Sequence, residues 1–318
     1  MNSSSTSQPT AFRVAINNLV LVKHCFLLGV CALGVSLVGD CNAALADDGL
    51  VDPPQPHWSH LPVWGAEAEA RGYQLPLPFG VGVNYYREQQ PFKIKDLQVT
   101  RGGKPVSVNE SLQLETVNTT QQNGIMRLDA WLFPFLNVYG LAGYTSGNMQ
   151  GKIALPEISM LNISAQELPL NIAYEGPTYG GGATLAGGFK VCDRGDLTLF
   201  LVADANYTVT DLSFTDEQLF TDTRMTAFVF SARIGLRRKM SEQLHFALWG
   251  GTMFQDVSES LIGRAVDQEF AFMVVEEPVA PWNALVGGRL EIGRHWDLMV
   301  EGGLGTRTSI MGGLTFRF

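Results

Sequence analysis

Long hydrophobic runs are almost missing from these 318 residues. The only uninterrupted one is CFLLGVCALGVSLV at residues 25–38, shorter than the roughly 20 residues a spanning helix needs. A protein built from several membrane helices is therefore excluded. Disorder is excluded too, because hydrophobic residues make up 46% of the chain and mean hydropathy is +0.07. Cysteine is scarce at four residues and histidine at five, which leaves little material for a disulfide scaffold or a metal site. Basic residues number 22 against 31 acidic, a balance that argues against a nucleic-acid partner.

The one apolar run reads as the core of a signal peptide. Arg13, Lys23 and His24 precede it, and Ala44-Leu45-Ala46 offers an A-x-A cleavage site before Asp47. Asp40 stands where a small residue would precede a lipidated Cys41, so a lipoprotein anchor is not expected. Cleavage after Ala46 removes Arg13, Lys23 and Asp40, leaving 22 − 2 = 20 basic and 31 − 1 = 30 acidic residues. It also removes Cys25, Cys31 and Cys41, so Cys192 remains alone and no internal disulfide can form. The expected organisation is a signal peptide over 1–46, a Pro-rich periplasmic lead-in or plug over 47–77, and a β domain over 78–318. The lead-in holds one short helical candidate, 66–71.

From Phe79 onward the pattern alternates with a period of two. Phe228, Phe230, Ala232, Ile234 and Leu236 share one face, with Ser231, Arg233 and Arg237 on the other. Trp282, Ala284, Val286, Leu290 and Ile292 likewise oppose Asn283, Arg289 and Glu291. Successive side chains of a strand point to opposite faces, so each segment has an apolar and a polar side. About ten strands are expected: 79–88, 124–133, 136–146, 178–190, 196–207, 225–238, 243–254, 282–293, 296–304 and 309–318. Hairpins inside the connections, 94–100 with 106–117 or 149–158 with 168–175, would raise the count to twelve. Short connections at 134–135, 193–196, 239–243 and 293–295 alternate with long acidic ones near 89–123, 146–178, 208–224 and 255–281. Aromatic residues stand near the strand ends. A soluble sandwich has no reason for that asymmetry or for strands this long, whereas a transmembrane β-barrel has both. The expected fold is an all-β antiparallel transmembrane barrel with long extracellular loops.

The ending GGLTFRF places Leu314, Phe316 and Phe318 on one face. It resembles the last strand of Gram-negative outer-membrane barrels, where a terminal aromatic serves as an assembly signal for the insertion machinery. Residues 75–85 (LPLPFGVGVNY) and 127–143 (RLDAWLFPFLNVYGLAG) also resemble a group of uncharacterised bacterial outer-membrane proteins, a likeness that carries no activity. The resemblance implies an outer-membrane location with membrane lipid and the assembly machinery as partners.

Charges gather on the face expected to line the lumen: Arg127, Asp129, Asp204, Arg233, Arg237, Arg289, Glu291, Asp297 and Glu301, with Glu88 and Lys190 beside them. Charges at bilayer depth survive by facing inward and pairing, so they predict either a packed ion-pair network or a narrow charged pathway. His57, His60, His245 and His295 make no metal signature, and no Gly-x-Ser-x-Gly elbow occurs. The glycine-rich YGGGATLAGGFK at 179–190 lacks the Gly-Lys-Ser/Thr of a phosphate loop and suits close approach of another group instead. Asp211, Asp216, Glu217, Asp222, Asp256 and Glu259 form an acidic stretch that reads as a solvated rim. No pattern calls for a catalytic residue, a metal or a cofactor. The functional expectation is passive diffusion or binding of a small solute. Alternatives are a surface structural or adhesion barrel and, more weakly, a rim hydrolase using the acidic stretch.

Phe318→Asp is expected to lower the amount of inserted barrel, measured as the fraction migrating faster on a gel without boiling. Unchanged levels would remove the assembly role.

Overall fold

The computed structural model describes residues 61–71, 73–101, 104–107, 117–155, 166–191, 197–215, 223–264 and 270–318. The expected signal peptide, the first part of the lead-in, the turn at 193–196 and three of the rim acids (Asp216, Glu217, Asp222) lie outside them. Among the described residues no helix is long and apolar enough to cross a membrane. The alternating segments form strands β1 (Phe79–Arg101), β2 (Lys104–Ser107), β3 (Val117–Phe133), β4 (Leu136–Leu155), β5 (Gln166–Lys190) and β6 (Leu197–Phe214). They continue as β7 (Thr223–Ser241), β8 (Leu244–Arg264), β9 (Phe270–Pro278), β10 (Trp282–Ile292), β11 (Trp296–Leu304) and β12 (Thr308–Arg317).

Every neighbouring pair is antiparallel, and the order round the wall is β1-β3-β4-β5-β6-β7-β8-β10-β11-β12. The last strand then pairs with the first, from Gly80 opposite Arg317 to Gln89 opposite Thr308. The sheet is therefore a closed barrel of ten strands. The hairpins that would have made twelve are not additional crossings. Residues 149–155 and 166–175 simply continue β4 and β5, paired as far as Leu155 opposite Gln166. Residues 98–101 are the end of β1, which turns back into the short β2.

Strand lengths divide the wall into a tall side and a short side. β5 runs 25 residues, but β10, β11 and β12 run 11, 9 and 10, about the length that crosses a bilayer when tilted. Above those three, β9 bridges the gap, pairing with the far end of β8 on one side and with β1 on the other. One strand thus replaces three, and fewer strands enclose a narrower barrel. The long connections expected at 208–224 and 255–281 are largely strand, because alternation there continues above the membrane.

The outer surface is apolar between two aromatic belts. Tyr85, Tyr144, Tyr179, Tyr207 and Trp282 lie toward the tall end, and Phe189, Trp296, Phe316 and Phe318 lie toward the turn end, all exposed. Tyr179 and Phe189 are about ten residues apart on β5, roughly 33 Å of strand, which a tilt near 40° reduces to about 25 Å, the height of a lipid-facing band. Between the belts, Val83, Leu201, Ile234 and Val300 are exposed without charged neighbours on that face. With the start of β1 at Phe79 and the end of the sheet at Phe318 both at the short-turn end, this is a barrel of the outer-membrane type.

The short helix α1 (Gly65–Ala70) precedes the barrel and buries none of its residues. Its entry is fixed by Val63 N–H donating to Leu132 O (2.9 Å) and by the Trp64 ring against Phe133 and Phe135, with centroids 5.1 and 6.5 Å apart. Val63, Trp64 and the helix that follows therefore sit at the turn-end mouth beside the β3–β4 turn.

Depth should govern the cost of a charge on the outer face. Ile234→Arg, mid-way between the belts, is expected to cost about 2–4 kcal/mol of folding into bilayers, and Tyr207→Arg, in a belt, about 0–1 kcal/mol. Equal costs by denaturant titration would contradict the assigned band.

Candidate functional site in the barrel lumen

Alternation turns one side chain in two inward, and all nine charged residues singled out in the sequence line the lumen, together with Glu88 and Lys190. They are brought together as pairs across strands. Arg233 on β7 holds Glu301 on β11 with two bonds, Nε to Oε2 at 2.6 Å and Nη2 to Oε1 at 2.8 Å. The Trp249 indole N–H donates to the same Glu301 carboxylate at 2.6 Å. Such a two-pronged contact satisfies guanidinium and carboxylate geometry together. Arg237 grips Glu291 (2.9 and 2.6 Å), and Arg289 bridges Asp297 and Glu291.

Near the turn-end mouth Asp129 accepts from Arg317 (3.0 Å) and from the Asn137 amide (2.6 Å). Arg127 donates to Asn137 (2.9 Å) and lies 3.7 Å above the Tyr139 ring centroid. Tyr139 and Thr184 both donate to Asp204, at 2.8 and 2.5 Å. Each carboxylate therefore has a donor on another strand. The pairing ties the wall together and leaves little net field along the lumen.

Glycine explains how large rings fit without closing the passage. A Cβ at Gly182 would collide with the Tyr139 ring, and one at Gly287 with the Trp249 indole. Both aromatic side chains thus lie against bare backbone. The glycine-rich stretch at 179–190 supplies this close approach within the wall.

Above the ion pairs the lining changes twice. First comes a level of hydroxyls and amides: Thr145, Thr178 and Thr210 form a hydrogen-bonded row at 2.6 and 2.9 Å, and all three are buried. At the same height Glu88 is buried with Arg307 (3.9 Å), while Tyr86 donates to Glu88 (2.8 Å) and Arg307 donates to Gln255. Arg307 escaped the sequence reading because it lies in the β11–β12 connection, where no alternation marks it. Higher still, Phe92, Val117, Met149, Ile172, Tyr174, Leu212, Phe214 and Met225 are buried and turned inward, forming an apolar ceiling. A cavity of about 1760 Å³ extends from α1 and the turn-end mouth up to Phe92, Met149 and Tyr174. The ion pairs thus line a space, where the sequence left open whether they fill one.

The remaining candidates are dispersed. Asp211 is exposed and bound by Arg224 at 2.9 Å, and Asp256 lies on β8 opposite Phe228, so these two acids do not converge. His295 Nδ1 contacts Arg317 O at 2.7 Å, and His245 faces the lumen opposite Glu291. Among the described residues no three His, Cys, Asp or Glu side chains group to hold a metal. Leu314, Phe316 and Phe318 are exposed on the lipid face, with Phe316 against Trp296 (5.0 Å) and Phe318 against Phe79 (6.0 Å).

No family model matches the chain, and no curated protein matches it at a significant level. Among solved structures it is similar to the outer membrane protein OprG from Pseudomonas aeruginosa, with TM-score 0.39, 10% identity and coverage of 77% of this chain and 98% of that one. It is also similar to the β domain of the Bordetella autotransporter BrkA (0.36, 12%, 76% and 100%). A third is the Pseudomonas putida toluene transporter TodX (0.29, 8%, 78% and 89%). At this distance the outer-membrane assignment rests on the closed wall and its two belts.

Glu301→Gln is expected to destabilise the barrel by about 3 kcal/mol, because Arg233 keeps its charge without a counter-charge. Adding Arg233→Met should recover part of the loss; a purely additive urea-unfolding cycle would show that the two residues do not interact.

Proposed function

We propose that this protein is an outer-membrane barrel that binds a small solute in its lumen and lets it pass through a closable outer end. The observation that carries the reading is the 1760 Å³ cavity, open along the barrel axis beneath a ceiling of apolar side chains. Hydrophobic constrictions close a pore to water and ions yet yield to small side-chain movements. The mutual pairing of the lumen charges favours neither cations nor anions strongly. In this reading residues 1–46 are a signal peptide removed after Ala46, and residues 47–77 form the periplasmic lead-in to a barrel over 78–318. The terminal Leu314, Phe316 and Phe318 guide the assembly machinery, and membrane lipid surrounds the belts. The charged network holds the lumen open, and α1 borders its periplasmic entrance.

Planar-bilayer recording tests this. The unaltered barrel should give small, infrequent openings, and Phe92→Ala with Met149→Ala should raise conductance severalfold by removing two ceiling side chains. Silence in both proteins, each verified as a folded barrel by its gel migration, would overturn the channel reading.

A further inference from the structure

Beneath the ceiling, three inward polar side chains stand out because the fold makes no use of them. Gln90 on β1 and Thr119 on β3 are directly opposite one another, only 3% and 4% exposed, and both line the cavity. Neither Gln90 Oε1 nor Thr119 Oγ1 has a hydrogen-bond partner, nor has Asn123 Oδ1 further down β3. The neighbouring backbone cannot serve them, because in paired strands its N–H and C=O groups are committed to the ladder. Buried polar groups without partners are costly; Gln90 and Thr119 face one another at one height, and Asn123 continues the same inward face of β3 four residues toward the turn end. The patch offers hydrogen bonding without charge.

Its surroundings narrow the chemistry that fits. Glu88 is occupied by Tyr86 and Arg307, so the patch presents no free carboxylate to a cation. Two of its unused atoms, Gln90 Oε1 and Asn123 Oδ1, are amide oxygens that only accept and would repel an anion, leaving the Thr119 hydroxyl alone to donate to one. An apolar solute would leave them unpaired, the arrangement that gives a polar site its strongest discrimination. A hydroxyl can donate to such an oxygen and also accept from an amide or hydroxyl. The Thr145–Thr178–Thr210 row extends the same chemistry round the wall, and in each of its bonds either oxygen can be the donor. Met149 and Tyr174 in the ceiling would cover the C–H faces of the ligand.

We propose that the Gln90–Thr119–Asn123 patch is a binding site for a small uncharged, hydroxyl-rich solute, a polyol or simple sugar. The proposal rests on the solute-lumen reading above and names the class of solute for it. Ligand-observed NMR titration of the refolded full barrel in micelles tests it, using three five-carbon probes: ribitol, pentanol and glutarate. Ribitol should bind saturably, with pentanol and glutarate at least about tenfold weaker. Thr119→Val, which keeps the shape and removes the hydroxyl, should weaken ribitol about tenfold, and Gln90→Leu should do likewise. Thr119→Ser should retain binding. Only variants with the migration of a folded barrel count, and Thr119→Val, being nearly isosteric, serves if Gln90→Leu does not fold. No saturable ribitol binding, equal binding of the three probes, or unchanged ribitol binding in Thr119→Val would each overturn the site. Binding in micelles needs no passage. Ribitol binding by a barrel silent in bilayers therefore counts against the channel alone, and a conducting barrel indifferent to ribitol counts against this site alone.

Discussion

The pairing of the first strand with the last is the constraint on which everything else depends. In hydrocarbon there is no water to satisfy an exposed backbone N–H or C=O, so a sheet can cross a bilayer only by closing on itself. Here the closure reaches the final residue: Phe79 and Phe318 exchange backbone hydrogen bonds at 3.2 and 3.0 Å. The same seam serves both faces of the wall. Outside, Phe79, Phe316 and Phe318 form part of the lower aromatic belt; inside, Arg317 reaches across from β12 to Asp129 on β3.

Closure at ten strands then sets the interior problem. A lumen of that width must be filled, propped or sealed, and this barrel does each at a different height. Toward the turn end, arginine–carboxylate pairs span from neighbouring strands (Arg289–Asp297) to strands three apart (Arg233–Glu301), and rings are laid against glycine positions. Toward the tall end, buried apolar side chains turn inward over the cavity. The level between them is polar, with the buried Glu88–Arg307 pair on one side and buried oxygens without a partner among the described residues on the other. Charge sits where other charges can balance it, and the apolar ceiling sits where side chains from β1 and β3 to β7 turn inward.

The wall is also lopsided. β10, β11 and β12 are just long enough to cross, and β9 spans the space above them between β8 and β1. This step tucks Arg307 out of solvent entirely and places it against Glu88. A turn residue thereby becomes the most deeply buried charge of the lumen wall.

Much of the barrel was readable from one sequence because lipid imposes a strict period of two. Residues such as Ile234 must face out and Arg233 must face in, so strand identity and the inward direction of the nine charges follow from alternation, while the choice of ten strands over twelve needed the pairing itself. Which charge meets which does not follow. Arg233 and Glu301 are 68 residues apart, and only the shear of the closed sheet decides that they meet. The ceiling was equally hidden: Met149, Tyr174 and Leu212 lie beyond the bilayer, where the outer face of the strand is polar as well and alternation no longer marks a membrane. Arg307 carried no signal of any kind. The sequence by itself determined a closed, lipid-facing antiparallel wall of about ten strands, with twelve left open, because backbone satisfaction and side-chain period leave no other way for strands to cross. Only the tertiary structure decided that the lumen holds a cavity with a buried polar level beneath inward apolar side chains, because that depends on which strands stand opposite one another and at what height.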